Sequence, residues 1–327
     1  MLDSKDTLLS VRDLRTSFQT QTGTVRALDG ISFTVEKGKT LAVVGESGCG
    51  KSVTAMTIMG LVQEANGFVE SGEILFEGQD LAKMPKEKMR ALRGDRISMI
   101  FQEPMTALNP VYTIGDQIAE VIRIHRGVSR HEARLEALRM LKLVRIPDPM
   151  QRLHEYPFQM SGGMRQRVMI AMALACEPSL LIADEPTTAL DVTIQAQILQ
   201  LMKELQQEKQ TSIIFITHDL GIVAEMADQV VVMYAGQAVE HGDVFSIFEN
   251  PRHPYTKGLL QSIPSTTITK KQKLYTIEGT VPSLRNLPQG CRFNTRCPFA
   301  FDRCFVEAPD LTVVAGDHRA ACHLEGK

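Results

Sequence analysis

The sequence is short of several features that mark particular classes of protein. It has no run of about 18 apolar residues, so no transmembrane helix is expected. The net charge is only -2 and the pI ≈ 6.5, which argues against a nucleic-acid-binding chain with its usual basic face. The first ten residues lack the long apolar stretch of a signal peptide. We therefore expect a cytosolic protein without a nucleic-acid partner, in a compartment where stable disulfides are rare.

Cysteine pairs of the C-x-x-C type are also missing, although four of the six cysteines lie near the C-terminus. Their spacing is C-x5-C-x6-C-x17-C. A zinc ribbon usually binds one tetrahedral ion through two C-x-x-C pairs. Wider spacing between cysteines suits a larger group such as a [4Fe–4S] cluster, which binds four thiolates. The cluster is the first hypothesis, with Zn²⁺ and free thiols as alternatives. The candidate ligands are Cys291, Cys297, Cys304 and Cys322, with His318 and His323 nearby.

Short apolar strands alternate with helical stretches through about the first 260 residues, which is the α/β pattern. The length suits two domains, and the composition becomes richer in Pro, Thr and Lys after Pro251. We predict a main domain over 1–260, with a helical part over about 103–175, and an irregular Cys-rich extension over 261–327. Within the helical part, Ser129–Glu132 forms a candidate capping box, and an apolar face follows at Leu135, Leu138, Leu141 and Val144.

The stretch GESGCGKS fits the pattern G-x-x-x-x-G-K-[ST], with an apolar strand before it and a helix after it. Glycines let successive N–H groups point at phosphate oxygens, and the helix N-terminus adds positive charge. Lysine then reaches the β- and γ-phosphates, and serine ligates Mg²⁺. A cysteine at this helix start is expected to favour the thiolate. The predicted phosphate-binding residues are Gly45, Ser47, Gly48, Cys49, Gly50, Lys51, Ser52 and Val53.

Two acids end the apolar strand LLIAD. Asp184 lies where a second strand is expected to hold the Mg²⁺ shell. Glu185 follows it and is placed to orient and polarise a water for in-line attack. Solvated acids at a strand end are the simpler alternative, which the neighbouring phosphate-loop pattern disfavours.

Four further stretches, together with the phosphate loop, resemble the ATP-binding subunits of ABC transporters in order and spacing. They are MSGGMRQR at Met160–Arg167, Gln102 in FQEP, TALD at Thr188–Asp191, and His218 in THD. The resemblance implies an α/β P-loop NTPase fold with an antiparallel β subdomain and a helical subdomain. Met160 and Met164 depart from the family's usual leucine and glutamine. Exchanging leucine for methionine conserves volume, whereas Met164 loses a polar side chain.

The same resemblance implies that ATP lies between the phosphate loop of one subunit and the SGG stretch of its partner. Glu185 is then the catalytic base, His218 bridges to the γ-phosphate, and Gln102 serves Mg²⁺ and water. Phe18 is the candidate for stacking on adenine, although it could simply be a strand residue. The residues expected to meet the partner's nucleotide are Ser161, Gly162, Gly163 and Asp191.

Longer stretches, including NPRHPYTKGLL and PQGCRFNTRCPFAFDRC, resemble the ATPases of dipeptide, oligopeptide and nickel importers. That resemblance implies two permeases, a second and unequal ATPase, an extracytoplasmic binding protein and a [4Fe–4S] cluster in the extension. It also implies a peripheral location at the cytoplasmic face of the membrane. Peptide is the expected cargo; nickel, glutathione and opines are alternatives. A DNA-repair ATPase or a soluble regulatory ATPase are rival classes, which co-purification with membrane proteins would exclude.

Overall fold

The structure is a computed structural model that describes residues 6–102, 107–187, 190–263 and 275–325. It divides into two compact units. The first unit comprises residues 1–35, 40–83 and 216–327, and the second comprises residues 36–39 and 84–215. The predicted division at residue 260 is a different partition, and it stays a prediction.

The first unit contains both antiparallel and parallel strands. The strands are β1 (Thr7–Thr20), β2 (Gly23–Glu36), β3 (Thr40–Val44), β4 (Gly67–Phe76), β5 (Gln79–Asp80), β9 (Gln229–Tyr234), β10 (Gln237–Asp243), β11 (Thr312–Ala315) and β12 (His318–Ala320). One sheet has the order β2-β1-β4-β5, in which β4 pairs antiparallel with both β1 and β5. Other strands follow the order β11-β12-β10-β9-β3, in which β3 and β9 are parallel. β9 and β10 form a hairpin about Ala235 and Gly236, both with positive φ.

The helices of the first unit cover a core that includes both β3 and the extension. They are α1 (Lys51–Ile58), α8 (Leu220–Met226), α9 (Val244–Glu249), α10 (Pro254–Gln261) and α11 (Asp302–Val306), with 3₁₀ turns at Val62–Ala65 and Leu81–Lys83. The core joins Val44 to Tyr234, Tyr255 and Phe293, and Cys291 packs at its edge. Phe293 stands edge-on to Tyr234 at 5.2 Å between ring centroids. Phe293 of the extension is therefore part of the hydrophobic core of the unit that carries the phosphate loop.

His253 lies at the start of α10 and makes stability depend on pH. Its Nδ1 accepts the backbone N–H of Tyr255 at 3.1 Å, and its side chain is buried. Burial, aided by the charge of Lys257, lowers the pKa of His253 to about 3, below the 6.5 of an unfolded histidine. Between these two values the unfolded chain binds a proton that the folded chain does not. Stability from this group is therefore lost as the pH falls below 6.5.

The His253→Asn variant keeps a side-chain acceptor for the helix cap but removes the titration. Urea unfolding at pH 7 and pH 5 is expected to show that wild type loses about 2 kcal/mol more free energy of unfolding than the variant over this interval. The other titrating groups are common to both proteins, so they cancel in the comparison. Equal losses would contradict a neutral, buried His253.

The second unit is mainly helical. Its helices are α2 (Lys86–Leu92), α3 (Ile114–Arg126), α4 (Arg130–Leu143), α5 (Pro149–Arg152), α6 (Gly162–Leu174) and α7 (Val192–Lys209), with a 3₁₀ turn at Pro157–Gln159. Its strands are β6 (Ile97–Ile100) and β7 (Leu180–Asp184), which are parallel, and β8 (Ser212–Thr217), whose last two residues belong to the first unit. α4 packs against α3 and α6.

The capping box at Ser129 and Glu132 is confirmed, with both reciprocal hydrogen bonds present. The predicted apolar face of α4 is partly wrong, because Leu135 is 55% exposed. The buried side of α4 instead carries the small Ala133 and Ala137, together with Met140 and Leu141. Across the described ranges, none of the helices has both the length and the apolar character needed to span a membrane.

Candidate functional site

The phosphate loop of the first unit connects β3 to α1. Gly45 has φ +150, and a Cβ there would lie 2.2 Å from the carbonyl oxygen of Met233. Gly50 has φ +106 and precedes the first residue of α1. Both positions exclude a side chain, so the loop requires these glycines. Ser47 and Gly48 are exposed, and Ser52 and Val53 lie half-buried in the first turn of α1.

Lys51 is buried inside this loop. Its Nζ donates to the carbonyl oxygen of Gly45 at 2.8 Å and to that of Glu46 at 3.2 Å. The ammonium is therefore held against the loop backbone, beside amides that the loop and the start of α1 present. Such an arrangement suits a phosphate group, for which a lysine acts as a point charge.

The expected thiolate at Cys49 is wrong. Its side chain is fully buried, and this burial raises the pKa of the thiol, while the charge of Lys51 opposes the shift without overcoming it. Desolvation thus outweighs the helix N-terminus. The backbone of Cys49 takes part in fixing the loop, because its carbonyl oxygen accepts the N–H of Gly236 at 2.9 Å.

Two further candidates belong to the first unit. Phe18 lies in β1 opposite Gly67 of β4, and a Cβ at Gly67 would lie 2.8 Å from its ring. The half-buried ring therefore lies over the neighbouring strand, and stacking on adenine stays a prediction. His218 follows β8 and is exposed. Asp219 next to it caps α8 by accepting the N–H of Gly221 at 2.8 Å, which fixes where the chain turns after His218.

In the second unit, parallel pairing of β6 and β7 brings two predicted catalytic residues together. Ile100 pairs with Ala183, so Gln102 and Glu185 leave the same end of neighbouring strands. Nε2 of Gln102 donates to Oε2 of Glu185 at 3.0 Å. Glu185 has φ +47, a left-handed conformation that is costly for a residue with a side chain. Asp184, directly before it, is buried at the end of β7.

The SGG stretch lies at the start of α6. Ser161 is exposed and caps this helix by accepting the N–H of Met164 at 3.3 Å. A Cβ at Gly163 would lie 2.8 Å from Ile194 of α7, so only glycine fits this contact. Gly162 is exposed, and a Cβ there would meet none of the described atoms within 4 Å. The N-terminus of α6 is therefore open beside Gly162, where an anion would be favoured.

Asp191 caps α7 through Oδ1, which accepts the N–H of Ile194 at 3.0 Å. The same Ile194 packs on Gly163, so Asp191 and the SGG stretch are linked within the second unit. Thr188 and Ala189, at the start of the predicted TALD motif, lie outside the described residues.

The six cysteines lie in the described ranges and form no disulfide with one another, and four of them lie in the extension. Burial raises the pKa of Cys291 to about 11, and the charges of Cys304, Cys322 and Cys297 add to the shift. These thiols are thus close enough to repel one another when ionised. In the described part of the chain, however, no group of three or more His, Cys, Asp and Glu side chains is arranged to hold a metal ion.

The two histidines considered as ligands are engaged elsewhere. Nε2 of His318 lies 2.7 Å from Oε1 of Glu240, and Nε2 of His323 lies 2.9 Å from the carbonyl oxygen of Glu307. The cysteines are therefore the better candidates for any metal site of the extension.

Tyr255 contacts the phosphate loop, a role that was not predicted from the sequence. Its hydroxyl accepts the backbone N–H of Glu46 at 2.8 Å. The signal was present in the stretch NPRHPYTKGLL, but nothing local in that stretch indicates a contact 209 residues away.

Comparison with known proteins agrees with this arrangement. Residues 28–188 match the family described as ABC transporter, and residues 239–304 match the family described as oligopeptide/dipeptide transporter, C-terminal region. The chain is 54% identical to the dipeptide transport ATP-binding protein DppD of Bacillus subtilis over 97% of its length and 95% of the relative. It is 52% identical to the oligopeptide transport ATP-binding protein AppD of the same organism, over 97% of both chains.

A solved dimeric ATP-binding cassette, in a post-hydrolysis state with ADP and Pi, superposes with a TM-score of 0.65 at 26% identity. The match covers 72% of this chain and 98% of that structure. The fold class predicted from the sequence is thereby confirmed for the cassette. The chain belongs to the ATP-binding subunits of ABC transporters, in the branch that carries the oligopeptide/dipeptide transporter C-terminal region.

Proposed function

We propose that this chain is the ATP-hydrolysing subunit that powers peptide import through an ABC transporter. The observation that carries the proposal is the match of residues 239–304 to the oligopeptide/dipeptide transporter C-terminal region, a segment beyond the cassette match. The names of relatives at 52–54% identity support peptide as the cargo.

The proposed chemistry assigns a role to each site residue. Lys51 and the amides of the phosphate loop hold the β- and γ-phosphates, and Phe18 stacks on adenine. Ser52, Asp184 and Gln102 serve Mg²⁺, which neutralises charge on the phosphates when bound. Glu185 accepts the proton of the attacking water, and His218 contacts the γ-phosphate. Support for Glu185 comes from its hydrogen bond to Gln102 and its left-handed backbone.

The open start of α6 supports a site that a second subunit completes. Ser161, Gly162 and Gly163 present a helix N-terminus to solvent, and the chain has its own phosphate loop for its own nucleotide. In the proposed dimer, this N-terminus binds the γ-phosphate held by the partner, and Asp191 fixes the adjoining helix. ATP then closes the dimer and hydrolysis opens it. The dimeric cassette at TM-score 0.65 is consistent with this assembly.

The proposed partners are two permeases, a second and related ATPase, and an extracytoplasmic binding protein that acts through the permeases. The chain is then peripheral, at the cytoplasmic face of the membrane. The second unit has an apolar cavity of about 170 Å³, which is a candidate binding site for a permease helix. It is lined by Met99, Phe101, Leu108, Val121 and Met172.

Affinity purification of the chain from detergent-solubilised membranes is expected to recover both permeases and a second ATPase. Recovery of the chain as a soluble homodimer free of permeases would contradict the proposal.

We also propose that Cys291, Cys297, Cys304 and Cys322 hold a [4Fe–4S] cluster, with Zn²⁺ as the alternative. Burial and the charges of neighbouring cysteines raise the pKa of Cys291 and of Cys322, so four thiolates here would repel one another unless a cationic group lay between them. A cluster has four separated corners, so its ligands need not converge on one point as they do around a single ion.

Anaerobic purification is expected to give a brown protein with about four iron atoms per chain. Cys297→Ser should lower the iron content, whereas Cys176→Ser, which alters a buried thiol of the second unit, should not. One zinc per chain without iron would contradict the cluster.

A further inference from the structure

The segment Cys291–Cys297, with the sequence CRFNTRC, carries two arginines that each adjoin a cysteine. Phe293, between these two arginines, is buried among Tyr234, Tyr255 and His253. The segment is therefore fixed in the core of the first unit by an aromatic anchor, and its two arginines leave this anchor on either side.

Arg296 reaches the phosphate loop. Its Nη1 donates to Oε1 of Glu46 at 2.9 Å, and its Nη2 donates to Oε2 at 3.1 Å. Its Nε donates to the carbonyl oxygen of Glu278 at 2.9 Å, and its guanidinium lies over the ring of Tyr234. The Arg296 side chain is 4% exposed. A paired, two-point contact of this kind is stronger and more specific than a surface ion pair.

Glu46 is the second residue of the phosphate loop, and its N–H, its carbonyl oxygen and its carboxylate all form hydrogen bonds. Its N–H donates to Tyr255, and its carbonyl oxygen accepts from Lys51, the residue proposed to hold the phosphates. Its carboxylate is a negative charge within a loop that must accept a polyanion. Without Arg296 this charge would be uncompensated beside the nucleotide.

Arg292 makes a second attachment, to residues next to the loop. It donates to the carbonyl oxygen of Ala235 and forms an ion pair with Asp29. The next residue, Gly236, donates its N–H to the carbonyl oxygen of Cys49 in the loop. The cysteine segment therefore contacts the phosphate loop directly through Arg296 and indirectly through Arg292.

We propose that Arg296 is a positioning residue that neutralises and orients Glu46, so that ATP affinity depends on the cysteine segment that carries it. The inference rests on the proposed role of the phosphate loop. It makes the extension part of the nucleotide site, because displacement of Cys291–Cys297 would release the Glu46 carboxylate next to the phosphates. Arg296 acts through binding and does not take part in the hydrolytic step.

The test measures the dissociation constant of MgATP for the full-length chain by titration calorimetry. Arg296→Gln is expected to weaken binding about tenfold, because it leaves Glu46 charged and unpaired. The dissociation constant of the double variant Arg296→Gln with Glu46→Gln is expected to lie within about threefold of the wild-type value, because this variant lacks the Glu46 carboxylate. In the assembled transporter, Arg296→Gln should raise KM for ATP and leave kcat unchanged.

Arg303→Gln is the matched control, since it removes an exposed arginine of the same extension that pairs with Glu307, and it should leave the affinity unchanged. A purely structural role for Arg296 would lower the melting temperature and leave the double variant as weak as the single one, which would overturn the proposal. Unchanged affinity in Arg296→Gln would also overturn it. Lys51→Ala tests the phosphate-binding role of the loop separately from the role of Arg296. Normal ATP binding by that variant would show that the loop does not hold the phosphates.

Discussion

Glu185→Gln is expected to leave ATP binding intact and to slow hydrolysis by about 10²–10⁴-fold. Glutamine keeps the size of the side chain and can still pair with Gln102, which donates to Oε2 of Glu185 at 3.0 Å. It cannot accept a proton from the attacking water at neutral pH, so the loss falls on the chemical step. The measurement is steady-state phosphate release by the assembled transporter, together with equilibrium binding of ATP.

Glu177→Gln provides the control for this variant. Glu177 is an acid of the same unit and also has a left-handed backbone, but its carboxylate pairs with Lys209 at 3.0 Å on the surface. Its replacement is expected to leave hydrolysis within about twofold of wild type, because surface ion pairs contribute little. Near-normal turnover by Glu185→Gln would show that another group activates the water.

Lys51→Ala is expected to weaken ATP binding by about 10²–10⁴-fold, which corresponds to about 3–6 kcal/mol. The ammonium is buried against the loop and supplies charge-assisted hydrogen bonds to the β- and γ-phosphates in the proposed complex. Removal of the ammonium takes away its hydrogen bonds to the β- and γ-phosphates. It also leaves the carbonyl oxygens of Gly45 and Glu46 without the donor that now binds them. Titration with MgATP measures the loss directly.

Lys83→Ala is the matched control, because Lys83 belongs to the same unit but is 74% exposed and pairs only with Asp80 among the contacts described for it. It should bind ATP as wild type does. Equal binding by Lys51→Ala and wild type would show that the glycine-rich loop does not hold the phosphates.

Features fixed by local sequence were predictable. The capping box at Ser129 needs only four residues, which are neighbours in the chain. The hydrogen bond between Gln102 and Glu185 was not predicted from the sequence, although the strand that ends before Glu185 was. Parallel pairing of β6 with β7 is what brings the two side chains together.

Features fixed by distant contacts were not predictable. The pKa of Cys49 depends on burial within the folded unit, which outweighs the local helix start. Leu135 fits a helical period but faces solvent, because the small Ala133 and Ala137 occupy the packed side. Arg296 and Glu46 are 250 residues apart, so their contact has no local signature. The sequence predicts an irregular Cys-rich extension apart from the main domain, whereas Arg296 of this extension contacts the phosphate loop.

The central claim is that ATP hydrolysis by this chain drives peptide uptake. The most direct measurement is phosphate release by the chain assembled with its permeases and partner ATPase in liposomes, with and without the peptide-loaded binding protein. The proposal predicts that the loaded protein stimulates hydrolysis and peptide accumulation together, and that Glu185→Gln abolishes both. Hydrolysis that is indifferent to the peptide-loaded protein, or peptide uptake that persists in Glu185→Gln, would contradict it.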